Sequence, residues 1–159
     1  GVHMNTSDKS TAFQDCYPDD YSHCYGCGRL NEHGLQIKSY WDGNEGVCRF
    51  SPEKHYSGGK KDILYGGLIA SLMDCHGAGT AAAAKAKEQG IEIQKGKMPR
   101  FVTASLKVDY LAPTPVNTEL ELRGKIKEVT GRKVIVQVNL LAEQKLCAKG
   151  ELLFIQVKE

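Results

Sequence analysis

The chain has 159 residues, 41% hydrophobic and 25% charged, with a formal net charge of +2; this is the balance of one globular domain large enough to bury a core of its own. Basic and acidic residues are interspersed, which excludes the basic stripe of a nucleic-acid-binding surface, and no uninterrupted apolar run of 18 or more predicts a transmembrane helix. Six cysteines without an export signal read as reduced thiols in a cytoplasmic protein, not as a disulfide framework.

Residues 1–22 are polar and without periodicity, and are predicted to form a flexible arm before a domain over 23–159. Within the arm, residues 1–3 read as a cloning scar ahead of Met4. The next stretch, HCYGCGRLNEHGL over 23–35, contains Cys24-x-x-Cys27. A structural zinc site needs four ligands, and no second CxxC or HxxxH follows. Cys16, His23 and His33 lie close in sequence, but a Gly-rich turn leading into a strand is the preferred reading, with no metal. Two strands follow, LQIKSYW and GVCRF, joined by the hairpin turn Asp42-Gly43-Asn44.

After a polar connection over 52–64 comes YGGLIASLMDCHGAGTAAAAKAKEQG, residues 65–90, a long helix closed by Gly90. Asp74 is the sole charged residue between Gly66 and Ala84. At 100° per residue, Leu68, Ile69, Leu72, Cys75 and His76 share one face, and Asp74 lies opposite among Ala70, Gly77, Ala78 and Ala81. A helix without a charged face is buried all round, so one side is predicted to pack on a sheet and the other under something that requires small residues. Gly77 and Gly79 each weaken the helix by roughly 1 kcal/mol relative to Ala, which close approach of another backbone explains. Cys48, Cys75 and Cys147 read as small hydrophobes. The run Ala81–Ala84 reads as helix propensity.

Four strand-like runs complete the chain. In the first, Phe101, Thr103, Ser105, Lys107 and Asp109 alternate against Val102, Ala104, Leu106, Val108 and Tyr110, ending at Pro113 and Pro115. Runs 118–129, 132–142 and 145–157 form a meander with antiparallel pairing. The predicted class is α+β: a curved antiparallel sheet wrapped around one long central helix. One sheet leaves the helix partly uncovered and its edges unpaired, so a homodimer is expected.

Three motifs resemble the hotdog-fold acyl-CoA thioesterases, in the branch that includes the phenylacetate-pathway enzyme: Cys24-x-x-Cys27-Gly28-x-x-Asn31-x-x-Gly34-Leu35, Gly66-Gly67-(x)6-Asp74, and Val108-Asp109-Tyr110-Leu111-Ala112-Pro113. The resemblance implies a dimer or tetramer that hydrolyses an acyl-CoA or related thioester with no cofactor. It gives Asp74 the role of nucleophile or general base. The Gly66 amide polarises the thioester carbonyl, and Thr103, seven residues before Tyr110, positions water. Two positions depart from the family pattern. Tyr65 stands where His usually precedes the glycine pair, and Gly59 stands where many relatives carry Asn or Gln; Ser57 and His55 are candidate replacements.

The residues themselves suit this chemistry. A helix N-terminus offers unpaired amides and a partial positive charge of about half a unit, and Gly66 and Gly67 leave those amides open. Tyr65 shapes the pocket, while Arg132 and Lys133 are candidates to grip CoA phosphates. Taken without the resemblance, Asp74 reads as a structural carboxylate bonded to a neighbouring loop. Adjacent helical residues diverge by about 100°, which argues against a Cys75–His76 catalytic pair. Eight residues of helix separate Gly66 from Asp74 by roughly 12 Å, too far to serve one carbonyl, so a shared site needs two subunits. A non-catalytic ligand-binding protein of the same fold is the alternative. A hydratase or dehydratase is weaker, because the Asp and His pair of that branch is not found.

Overall fold

The computed structural model describes residues 11–158; residues 1–10 of the predicted arm lie outside them. Six strands, β1 (Ser39–Asp42), β2 (Glu45–Phe50), β3 (Phe101–Tyr110), β4 (Leu120–Thr130), β5 (Lys133–Ala142) and β6 (Lys145–Gln156), surround one long helix, α1 (Gly66–Glu88). They form a single antiparallel sheet in the order β1-β2-β4-β5-β6-β3. This is the curved sheet around one helix that the chain's pattern predicts. Pro113 and Pro115 stop β3, and Gly43 at φ +65° turns the β1–β2 hairpin.

The core lies between α1 and the sheet. β5 alternates strictly, burying Val134, Val136, Val138 and Leu140. These meet Leu68, Ile69, Leu72 and Met73 of α1, with Leu152 and Phe154 of β6. The helix sits close because two facing strand positions lack side chains. Gly46 and Gly124 are cross-strand partners. A Cβ on Gly46 would stand 2.3 Å from Thr80 Oγ1, and one on Gly124 3.3 Å from His76 Nε2.

His76 is buried on the sheet face, as its position on the helix predicts. Its Nε2–H donates to the Gly46 carbonyl at 3.0 Å, which makes Nδ1 the acceptor for the Ser39 hydroxyl at 2.8 Å. Burial pushes the imidazole down to about 4, so the ring is neutral. Gln14 completes the network, donating to Ser39 Oγ at 2.9 Å and accepting from the Ser39 amide at 2.8 Å.

Three expectations change. Residues 11–22 do not drape loosely as part of an arm. Phe13 and Cys16 bury against Ala82, Ala83, Ala86 and Met98, and Phe13 meets the edge of Trp41. Hydrophobic burial outweighs the polar look of the segment. Ala82 and Ala83 therefore serve packing as well as propensity. Gly77 faces the sheet, not the Asp74 side: a Cβ there would meet Phe154 at 2.9 Å. Finally, it is side chains that demand the helix glycines, since a Cβ on Gly79 would meet Gln14 at 2.6 Å.

Candidate functional site

Tyr65 holds the N-cap position of α1 in extended conformation and makes no side-chain capping bond. Tyr has no short oxygen to reach back to the first turn, so the Gly66 and Gly67 amides gain no side-chain cap, while the Leu68 amide donates to the Tyr65 carbonyl at 3.1 Å. The Tyr65 ring, 59% exposed, lies over Gly67; a Cβ at Gly67 would fall 2.4 Å from it. Gly67 thus makes room for Tyr65 rather than simply opening its own amide. The Tyr110 hydroxyl donates to the Gly66 carbonyl at 2.8 Å.

Two turns further along, Asp74 is half-buried, and Thr103 Oγ1 donates to its Oδ1 at 2.6 Å. Thr103 and Tyr110 both point at α1, although seven is an odd spacing that strict alternation sends to opposite faces. A β-bulge resolves this. Thr103 pairs with Phe154 and Ser105 with Leu153, leaving Ala104 as the extra residue. Phe101 and Thr103 before the bulge, and Val108 and Tyr110 after it, therefore share the inner face. The unbroken alternation predicted for this strand is corrected accordingly.

A cavity of about 290 Å³ opens beside Asp74 and Thr103. Its other walls come from Tyr17, Tyr21, Cys24, Cys27, Cys75, Ala78 and the segment from Pro99 to Val102. Sequence reading missed Tyr17, Tyr21 and Arg100, whose guanidinium sits 4.8 Å from the Tyr21 ring centre. Cys75 belongs to the core, as its reading as a small hydrophobe expects, but does more than fill it. Cys75 turns its sulfur to Cys24 at 3.6 Å, and Cys27 stands with them. Hydrogen bonds from Cys27 and Cys75 hold the Cys24 thiol well below its usual range, and the same bonding to Cys24 pushes Cys27 up.

Other predicted residues lie elsewhere. Arg132 and Lys133 sit at the β4–β5 turn, next to Gly131, whose carbonyl accepts from Lys85 near the far end of α1. Arg132 donates to the Gln156 carbonyl, and Lys133 pairs with Glu128 at 3.3 Å. Neither reaches the cavity within one chain. A Cβ on Gly59 would meet nothing beyond its chain neighbours within 4 Å. His55 packs against Tyr56 with the rings tilted by 59° and faces Glu53, and Ser57 is bridged to Leu64. None of the three lines the cavity beside Asp74 within the chain.

The arrangement gives two separate half-sites. A carboxylate with a bonded hydroxyl can deprotonate water or attack an acyl carbon. A helix N-terminus can accept the oxygen of a polarised carbonyl. About 12 Å of helix divides them.

A sequence model of the thioesterase superfamily matches residues 61–148, which include Gly66, Asp74, Thr103 and Tyr110. A thioesterase superfamily protein from Shewanella loihica PV-4 is 44% identical, with 88% of this chain and 98% of that one aligned at a TM-score of 0.66. Two more distant structures share the fold. The Escherichia coli PaaI protein of the phenylacetic acid degradation operon is 15% identical at a TM-score of 0.63, over 78% of this chain and 81% of that one. An uncharacterised Pyrococcus horikoshii protein is 17% identical at 0.64, over 86% and 94%. No curated protein matches the chain. With a family match across most of the helix and sheet, and a near-full-length relative at that identity, the chain belongs to the thioesterase superfamily and has its hotdog fold.

Proposed function

We propose that the protein hydrolyses an acyl-CoA or closely related thioester to the free acid and CoA, in active sites shared between two protomers. The observation that carries this reading is the 2.6 Å bond from Thr103 to Asp74 at the mouth of the cavity. Asp74 delivers the attacking group, as base or nucleophile, and Thr103 orients it. The Gly66 amide of the other protomer receives the carbonyl oxygen.

Dimerisation is supported by two surfaces that one chain leaves open. β3 is a sheet edge, with Val102 and Tyr110 exposed at 47% and 54%, and Leu111 just beyond it at 55%. Beside it runs a stripe of small residues at four-residue spacing, Gly66, Ala70, Asp74 and Ala78, each only half-covered. A second copy laid on both surfaces covers the stripe and brings the half-sites together. Arg132, Lys133 and Arg100 are the cations we assign to CoA phosphates, the first two from outside the cavity. Six free thiols suit a reducing, cytoplasmic setting. No described helix is long and apolar enough to cross a membrane.

The test is release of free thiol from a panel of acyl-CoAs by the wild type and by Asp74→Asn. Hydrolysis should fall on the order of 100-fold or more in the variant, with ligand binding kept. The alternative, a protein that holds the thioester without cleaving it, is favoured by the Tyr65 ring over Gly67 and by the absence of a polar group at Gly59. It predicts tight binding and no turnover in either protein.

A further inference from the structure

We propose that Cys24, Cys27 and Cys75 form a three-thiolate zinc site that clips the turn at residues 24–28 onto α1, one residue from Asp74. The three sulfurs lie within 4.8 Å of one another, and Cys24 and Cys75 are 3.6 Å apart. Sulfurs about 2.3 Å from a tetrahedral zinc stand about 3.8 Å from each other. The Cys24–Cys75 separation therefore matches one edge of a zinc tetrahedron, with the Cys27 sulfur within 4.8 Å of both.

The local backbone is built for it. The Gly26 amide donates to Cys24 Sγ at 3.3 Å, and the Gly28 amide closes the turn on the Cys24 carbonyl at 2.8 Å. Amide donation to sulfur favours the thiolate that a metal requires. Neither glycine tolerates a side chain: a Cβ on Gly26 would meet Cys75 Sγ at 2.3 Å, and one on Gly28 the Cys24 amide nitrogen at 2.4 Å. The turn is thus pressed onto the helix at the point where the thiols converge. Cys27 and Cys75 are buried while Cys24 faces solvent, which gives an ion a way in. Soft thiolates select zinc over magnesium or calcium. All three cysteines line the cavity, so an ion held by them keeps its fourth position open to water there. Sequence spacing showed only two of the three, because the third thiol comes 48 positions after Cys27, from the helix.

The experiment titrates the full, reduced, metal-free chain with Co²⁺ and then Zn²⁺ without oxygen. One Co²⁺ per chain should bind with thiolate-to-metal charge-transfer absorption and the intense visible bands of tetrahedral cobalt, and Zn²⁺ should displace it. Zinc should shield three of the six thiols from a disulfide reagent. Cys24→Ser, at an exposed position, should weaken zinc at least about 100-fold, the upper range for losing even an outer-shell partner. Absence of charge-transfer bands in the wild type overturns the proposal, and so does undiminished affinity in both Cys24→Ser and Cys75→Ser. A chain that binds no metal when reduced, and in air loses two thiols as an internal disulfide, overturns it in favour of a redox pair. Because the readout is metal binding, the result is independent of whether the protein hydrolyses thioesters.

Discussion

Asp74 and Thr103 act as a unit on this account, and the hydroxyl is the smaller partner. Thr103→Val keeps the shape of the side chain and deletes only the 2.6 Å bond to the carboxylate. A hydrogen bond to a charged group contributes about 1.5–3 kcal/mol, so kcat should fall roughly tenfold to a hundredfold with KM little changed; steady-state kinetics on the best acyl-CoA measure it. An unchanged kcat would reduce Thr103 to an ordinary strand residue. His76 makes the contrasting case of a helix polar group about half a turn's rotation away from Asp74 that serves the fold. Replacing it by Leu strands the Gly46 carbonyl, and leaves Ser39 and Gln14 with a broken network. The expected cost is about 2–3 kcal/mol, read as a lower denaturation midpoint at unchanged slope.

At the scale of elements, α1 shows how packing overrules propensity. Gly77→Ala gains about 1 kcal/mol of helix propensity. The new methyl would sit 2.9 Å from Phe154, which is itself fully buried and has no room to withdraw. Overpacking of a filled core costs typically 1–3 kcal/mol, so the variant should be less stable than wild type; a raised melting temperature would contradict this packing. The same helix shows what was legible in the chain. Its length, its sheet face from Leu68 to His76 and the isolation of Asp74 follow from spacing alone, because a 3.6-residue period writes itself into the sequence. β5 and the Gly43 hairpin were readable for the same reason, through alternation and turn chemistry. The β3 bulge was not. One extra residue at Ala104 changes no composition, yet it reverses which side chains face α1. The meeting of Cys75 with Cys24, and the seating of Phe13 on Ala82, are contacts between distant segments that no local pattern records.

For the whole molecule, the central claim is that one protomer supplies Asp74 and Thr103 while the other supplies Gly66. The exposed β3 edge and the half-covered small-residue stripe of α1 are the surfaces that such a pairing would use. Gly66→Leu crowds the Tyr110 ring, already 3.4 Å from a Cβ at this position, and should disable the carbonyl-binding half-site alone. Asp74→Asn disables the other half alone. The most direct measurement is the hydrolysis rate of purified mixed dimers carrying one lesion per chain. If the halves act across the interface, one site in each mixed dimer holds both lesions and the other holds none. About half the wild-type activity should then return from two parents that are each inactive. If both halves act within one chain, every site carries a lesion and mixing restores nothing, which would contradict the shared site.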